Sequence, residues 1–242
     1  MQPMSATPEG SSAVPAPPPG EGHTARSMDQ SMAGLRLHAV EMGGLVIDQV
    51  ARATEALLGR DAALAESVLS REPLVNDYDT RLDEDSLTFI ALQQPVANDL
   101  RMTRAIARSA LELERAGDEA KKIARFAARI GTTPGHDPVV AVARHLRHMA
   151  TLSASLLRDA VLALDESSPE RARSVLARDR ELDAEFANAI RQLMTFVMED
   201  RQFLSATVET VFALKGGDTV EIPVPRGTIR FKVLEISLAS GI

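Results

Sequence analysis

The sequence predicts an all-α protein: two tandem antiparallel three-helix bundles, the second incomplete, followed by a C-terminal β-hairpin. Three observations carry this expectation. Apolar residues recur at steps of three and four over most of the chain, the period of a buried helical face. Aromatic residues make up only 3% of the chain, so its 45% hydrophobic content is mostly aliphatic, and helix formers such as Ala, Leu, Arg and Glu dominate. The third observation is a repeat. SVLSREPLVNDYDTRLDEDSLTFI (Ser67–Ile90) aligns with SVLARDRELDAEFANAIRQLMTFV (Ser174–Val197) at a constant offset of 107 residues. Both copies open Ser-Val-Leu, keep an Arg-acid pair and close Thr-Phe-aliphatic, which points to a duplicated helical unit.

Taken in order, residues 1–26 are rich in Pro, Gly and Ser with little to bury, and are expected to form a disordered tail. Residues 27–131 are expected to form the first bundle. Its first helix runs from Ser27, with Leu35, Leu37, Val40, Met42, Leu45, Val46, Val50, Ala53 and Leu57 expected on the buried face, and stops at Gly59 and Asp61. Gly43-Gly44 inside it implies close approach of a neighbouring helix. A second helix starts near Asp61, is kinked or briefly broken at Pro73, resumes through Val75, Leu82, Leu87, Ile90 and Leu92, and ends at Pro95, because the residue before proline is pushed out of the helical region. A third runs from about Val96 to Ile130. Gly131, Pro134, Gly135 and Pro138 form a linker.

Residues 139–215 are expected to form the truncated second bundle. Its first helix covers Val139 to Leu164. Ser168 and Pro169 then read as a capping serine and a first-turn proline. The next helix runs from Glu170 to about Met198, and a shorter one follows Asp200 to about Leu214. In residues 216–242, the alternating, β-branched runs Thr219–Val224 and Thr228–Ile236 flank Pro-Arg-Gly, the signature of a hairpin.

Charge and composition exclude several functions. A net charge of −7 argues against a direct nucleic-acid binder, which needs a basic stripe to replace phosphate counterions. The absence of cysteine removes disulfides, thiolate metal sites and cysteine nucleophiles. No apolar run approaches the roughly 18 residues of a membrane span, and the N-terminus lacks a secretory pattern. The expected compartment is the cytoplasm, without membrane insertion. No nucleophile elbow or P-loop is present, so the chain is not read as an enzyme.

The residues that can carry chemistry are acidic. Glu114 and Asp118 are one helical turn apart, so both carboxylates project from one face. Such a pair either shares a hard or transition-metal cation or forms part of a solvated face, with Arg115 and Lys122 neutralising the local field. Glu112, off that face, is expected to be exposed. Asp77, Asp79, Asp83, Glu84 and Asp85 on the preceding helix either supply further ligands across the Gln94-Pro95 bend or form a charged surface. His145 and His148 are expected at the surface.

Two of these stretches carry a resemblance. ALQQPVANDLR (Ala91–Arg101) and LELERAGDEAKKIA (Leu111–Ala124) resemble the signature of the PhoU family of bacterial phosphate-signalling regulators. So do HTARSMDQSM (His23–Met32), EMGGLV (Glu41–Val46) and TFVMEDRQFLSATVETVFALK (Thr195–Lys215). The resemblance implies two three-helix bundles in tandem. It implies a metal, often iron, on the acidic motif, which falls on Glu114 and Asp118. It also implies a homodimer at the cytoplasmic face of the membrane, and partner-binding roles for Arg101 and Arg115. The implied partners are a sensor histidine kinase and the ATPase subunit of the phosphate ABC transporter, with starvation genes kept off when phosphate is plentiful.

The chain departs from that pattern at its end. At the repeat offset Glu221 stands opposite Glu114, but Pro225 stands opposite Asp118, so the second acidic motif is missing. The segment GGDTVEIPVPRGTIRFKVLEI is instead similar to the C-terminal end of GreA-type transcript-cleavage factors. That similarity leaves two alternatives, a transcription-associated binder acting through the hairpin and an inactive truncated paralogue.

Overall fold

Each helix starts and stops where particular side chains dictate. The computed structural model describes residues 21–129, 138–199, 219–224 and 227–232. Helix α1 spans Glu21–Gly59, beginning inside the stretch expected to be a disordered tail. It ends where Arg60 adopts a left-handed φ of 52°. Asp61 then caps α2 (Ala62–Leu69), its carboxylate accepting the Leu64 N–H at 2.8 Å.

The second predicted helix is two, divided by a brief break close to Pro73, the second of the two outcomes expected there. The chain breaks at Ser70-Arg71, just before the proline, and α3 (Glu72–Gln93) carries Pro73 in its first turn. Proline is tolerated there because the first-turn N–H groups have no intrahelical acceptor. Gln94, left-handed at φ 47°, closes α3, and the buried Pro95 turns the chain into α4 (Ala97–Arg129). Helix α5 spans Pro138–Asp165. Ser168 accepts the Arg171 N–H at 3.2 Å and so caps α6 (Pro169–Glu199), as its sequence implies.

Strands β1 (Thr219–Val224) and β2 (Gly227–Lys232) pair antiparallel, with Val224 opposite Gly227. The expected linker at Gly131 to Gly135, the short helix after Asp200 and the chain beyond Lys232 lie outside the described residues.

Helices α1, α3 and α4 pack as a three-helix bundle, with α2 laid against α1 and α4. The α1–α3 pair is antiparallel, tied by Tyr78 Oη donating to Glu41 at 3.2 Å and Arg71 to Asp48 at 2.6 Å. The α5–α6 pair is antiparallel too, with Arg178 donating to Asp159 at 2.7 Å and to Ser155 at 2.9 Å. Helix α1 joins these groups by packing on both α4 and α5.

The duplication is visible in the core. At the 107-residue offset Met42 matches Met149, Val68 matches Val175, Val75 matches Leu182 and Leu82 matches Ala189, and all eight are buried. The second copy differs in one respect, because α6 runs unbroken where the first copy divides into α2 and α3. No helix among the described residues is long and apolar enough to cross a membrane.

Candidate functional site

Glu114 and Asp118 lie half-buried on the same side of α4, where that helix meets the start of α3. The contact is close because Gly117 has no side chain. A Cβ there would stand 3.2 Å from Val75 Cγ1 and 3.4 Å from the Gln49 amide oxygen. Glu72 and Asp79 flank Val75 on α3, so this close packing brings four carboxylates into one region.

The electrostatics follow from that crowding. Burial first, then the charges of Asp118, Asp79 and Glu72, push the Glu114 carboxyl above its ordinary range, against the opposing pull of Lys121. Burial and the neighbouring Asp83 raise Asp79. Glu72 moves the other way, because Lys121 donates to it at 2.6 Å. The same ammonium is 3.5 Å from Asp118. Lys121 is thus the cation at the centre of the cluster.

Several sequence expectations are corrected here. The cation beside the Glu114–Asp118 pair, 3.5 Å from Asp118, is Lys121, which the sequence reading did not name, while Arg115 bonds Glu112 at 3.1 Å and Lys122 bonds Glu119 at 2.7 Å. Glu112 is buried, at 5% exposure, rather than exposed, because its side of α4 points inward beside Leu113. Of the acidic run on α3, Asp79 joins the site, while Asp77, Asp83, Glu84 and Asp85 are exposed. Asp85 lies 3.5 Å from His38 on α1. Glu72 and Lys121 escaped the sequence reading. The signal was that Glu72 and Asp79 are seven residues apart and bracket the buried Val75. Arg101 is exposed and donates to Asn98 at 2.9 Å, away from the acidic cluster.

His145 is likewise not a surface residue; it is 6% exposed between α5 and α6. Its Nδ1 lies 2.6 Å from Glu185 and its Nε2 2.8 Å from the Gln192 amide oxygen. The exposed His148 reaches the same Glu185 oxygen at 3.3 Å. Burial opposes ionisation of Glu185, but hydrogen bonds from His145, His148 and Asn188 outweigh it and hold the carboxyl below its ordinary range.

For a metal, the chain offers two carboxylates at helical spacing with an ammonium already beside them. Among the described residues no group of three or more His, Asp or Glu side chains is gathered closely enough to hold a metal ion. The pair fits as a partial ligand set, and a complete one would need oxygen donors from outside these residues.

Comparison with known proteins matches the model of the PhoU domain to residues 39–127 and 146–215. A Pseudomonas putida protein named phosphate-specific transport system accessory protein PhoU homolog is 34% identical over 193 residues, covering 80% of this chain and 74% of the relative. The Escherichia coli (strain K12) phosphate-specific transport system accessory protein PhoU is 30% identical, covering 80% of this chain and 78% of the relative. Among solved structures, PhoU from Pseudomonas aeruginosa superimposes with a TM-score of 0.67 at 32% identity, covering 74% of this chain and 85% of that one. The Streptococcus pneumoniae phosphate transport system regulatory protein PhoU gives a TM-score of 0.65 at 22% identity, over 75% and 86%, a likeness of fold.

Proposed function

The chain belongs to the PhoU domain family, and from that premise we propose that it is an accessory regulator of phosphate-specific transport rather than an enzyme. One observation carries the reading. The similarity extends over four-fifths of the chain at 30% identity or more, and both copies of the duplicated unit take part. The hairpin lies outside the matched residues, so a transcription-associated role has less behind it.

We further propose that the protein works as an adaptor at the cytoplasmic face of the membrane. It would hold a sensor histidine kinase and the transporter ATPase, repress starvation genes when phosphate is plentiful, and act as a homodimer built from two tandem bundles. What supports this is the resemblance of Ala91–Arg101 and Leu111–Ala124 to the family signature, with Arg101 and Arg115 as partner-binding residues. The test is complementation of a bacterium lacking its own PhoU, read by a phosphate-starvation reporter in excess phosphate. Silencing by this chain supports the regulatory reading. A reporter that stays on with soluble, helical protein, in the presence of the cognate kinase and transporter, overturns it.

A metal, iron or another divalent or trivalent ion, is proposed at Glu114 and Asp118. It would take these two carboxylates as ligands, fill its remaining positions with water or groups from outside the chain, and displace Lys121 from Asp118. Such an ion supplies positive charge to an acidic face. Elemental analysis of purified protein is expected to show bound metal in the wild type and less in Asp118→Ala. Equal metal in both overturns the assignment.

A further inference from the structure

We infer that the cleft between α1 and α3 is a docking site for an arginine side chain presented by a partner protein. This rests on the adaptor reading above and specifies the chemistry of one partner contact.

The cleft owes its space to a glycine. Helices α1 and α3 run antiparallel, with Ser27 beside Gln93 at one end and Glu41 beside Tyr78 at the other. Gly34 stands between these ties, and a Cβ there would have nothing within 4 Å. The space beside it measures about 240 Å³. Drug-sized ligands occupy pockets of roughly 300 Å³ and more, so this cleft suits a single side chain better than a cofactor. The hairpin packs on α4, α5 and α6, whereas α1 and α3 form the cleft.

The lining selects the occupant. Leu35 and Phe89 are buried in its walls, and Leu92 lines it at 73% exposure. Its polar groups are left as acceptors. The Ser31 hydroxyl donates to the Ser27 carbonyl at 2.9 Å, so its oxygen remains to accept. The Gln93 amide nitrogen donates to Ser27 Oγ at 3.4 Å, which leaves the amide carbonyl. Asp85 is a half-exposed carboxylate, and His38 Nδ1, 3.5 Å away, makes no hydrogen bond to it. Carboxylate, hydroxyl and amide oxygens together call for a positively charged donor. A guanidinium offers five N–H donors in one plane, and its aliphatic stem packs on apolar walls. The surroundings favour a cation as well. Helix α3 exposes Asp77, Asp83, Glu84 and Asp85 against one arginine, Arg81. On α1, Arg36 is turned to the Asp165 carbonyl at the end of α5.

The second copy of the duplicated unit meets the same position differently. At the 107-residue offset Ala141 stands for Gly34, Gln192 for Asp85 and Glu199 for Leu92. Gln192 reaches the buried His145 at 2.8 Å, so the histidine that matches His38 is hydrogen-bonded within the chain. The first copy keeps the space and the charge instead. Residues 1–20 contain no lysine or arginine, so the chain's own N-terminal segment does not supply the cation.

The test uses the full chain and fluorescence anisotropy with a labelled peptide carrying one arginine between leucines. A control peptide has citrulline, the neutral isostere, in place of the arginine. The arginine peptide is expected to bind at least about tenfold more tightly than the control, a preference that shrinks as salt rises. Gly34→Leu fills the cleft and Asp85→Asn removes its charge, and each is expected to abolish the preference. Gly34→Leu is also expected to hold or raise the melting temperature, because leucine is the better helix former and its Cβ meets no neighbour. Circular dichroism checks that Asp85→Asn, altered at an exposed position, keeps its helicity. Absent binding, equal binding of both peptides, or a preference that survives in either variant overturns the inference. So does a dimer in sedimentation velocity that Gly34→Leu dissociates, which would put a second copy of the chain in the cleft. The assay contains neither phosphate nor a reporter. A failure here leaves the regulatory reading intact, and a failed complementation leaves this affinity still measurable.

Discussion

Gly43 and Gly44 are adjacent and chemically identical, yet their surroundings ask opposite things of them. A Cβ on Gly43 would stand 2.6 Å from Val161 Cγ2 on α5, whereas nothing lies within 4 Å of one on Gly44. Valine is stiff at χ1 and cannot swing away. Overpacking of this kind costs about 1–3 kcal/mol, against the roughly 1 kcal/mol that alanine gains over glycine in a helix. Gly43→Ala is therefore expected to lower the melting temperature and Gly44→Ala to raise it, each by a few degrees. Thermal unfolding of the two variants decides this, and a rise for both would mean that α1 and α5 are not in close contact. Glu114 offers a second residue-scale outcome. Its folded pKa is raised, so the folded state holds the proton more tightly than the unfolded chain does. Stability then falls as pH rises above the ordinary value of 4.5 toward the folded pKa, and the deficit persists at neutral pH. Glu114→Gln should raise the melting temperature at pH 7, on the order of 1 °C after solvent screening of a half-exposed group. The advantage should disappear in acid. A variant equally favoured at low pH would show that the repulsion is not electrostatic. The acidic pair itself was legible, because helical spacing alone puts Glu114 and Asp118 together. The role of Lys121 was not, since Lys121 and Lys122 are neighbours in sequence and only the packing of Val75 on Gly117 decides which of them faces Glu72.

At the scale of the element, the helices could be read to within a few residues where proline or a capping side chain fixes them, as at Pro95, Asp61 and Ser168. The division of α2 from α3 was legible in its region and not in its place: Pro73 marks a kink or brief break, but the chain divides just before it and the proline begins α3. The break at Ser70-Arg71 goes with a tertiary ion pair, Arg71 with Asp48 on α1, that no local pattern announces. The α3–α4 bend shows the local cost of the Gln-Gln-Pro turn. Gln94 sits at φ 47° and Ala97 at φ 45°, both in the left-handed region that disfavours residues with a Cβ. The Gln94 backbone N–H still donates to the Ile90 carbonyl at 3.1 Å, so the left-handed residue ends α3 without wasting its donor. Gln94→Gly keeps that bond and removes the steric penalty of about 1–2 kcal/mol, less the added entropy of an unfolded glycine of roughly 0.5–1 kcal/mol. A small rise in the midpoint of chemical denaturation is expected, with unchanged slope. A fall would mean that the glutamine side chain contributes more to the bend than its exposed position suggests.

Across the whole molecule, duplication explains more than the stretch of matching letters that revealed it. The repeat Ser67–Ile90 against Ser174–Val197 was visible because it kept Ser-Val-Leu and Thr-Phe. The matching first helices had diverged too far in their surface residues, yet Met42 and Met149 occupy equivalent buried positions. The polar contacts repeat as well. His38 beside Asp85 and Tyr78 beside Glu41 stand at the same offset as His145 beside Gln192 and Glu185 beside His148. The two halves thus keep a histidine at the same inter-helix position and differ in the groups around it. What joins them is α1. It packs on α4 with one side and on α5 with another, through Gly43 against Val161, and Arg36 donates to the Asp165 carbonyl at the end of α5. A helix shared in this way makes the halves interdependent, because unfolding either one exposes a buried side of α1. The wild-type chain is expected to unfold in a single thermal transition whose calorimetric and van't Hoff enthalpies agree. Gly43→Leu, which drives a large side chain into Val161, should separate that transition into two. Two transitions in the wild type would mean that the α1–α5 contact contributes little, and Gly43→Leu would then leave both midpoints where they were.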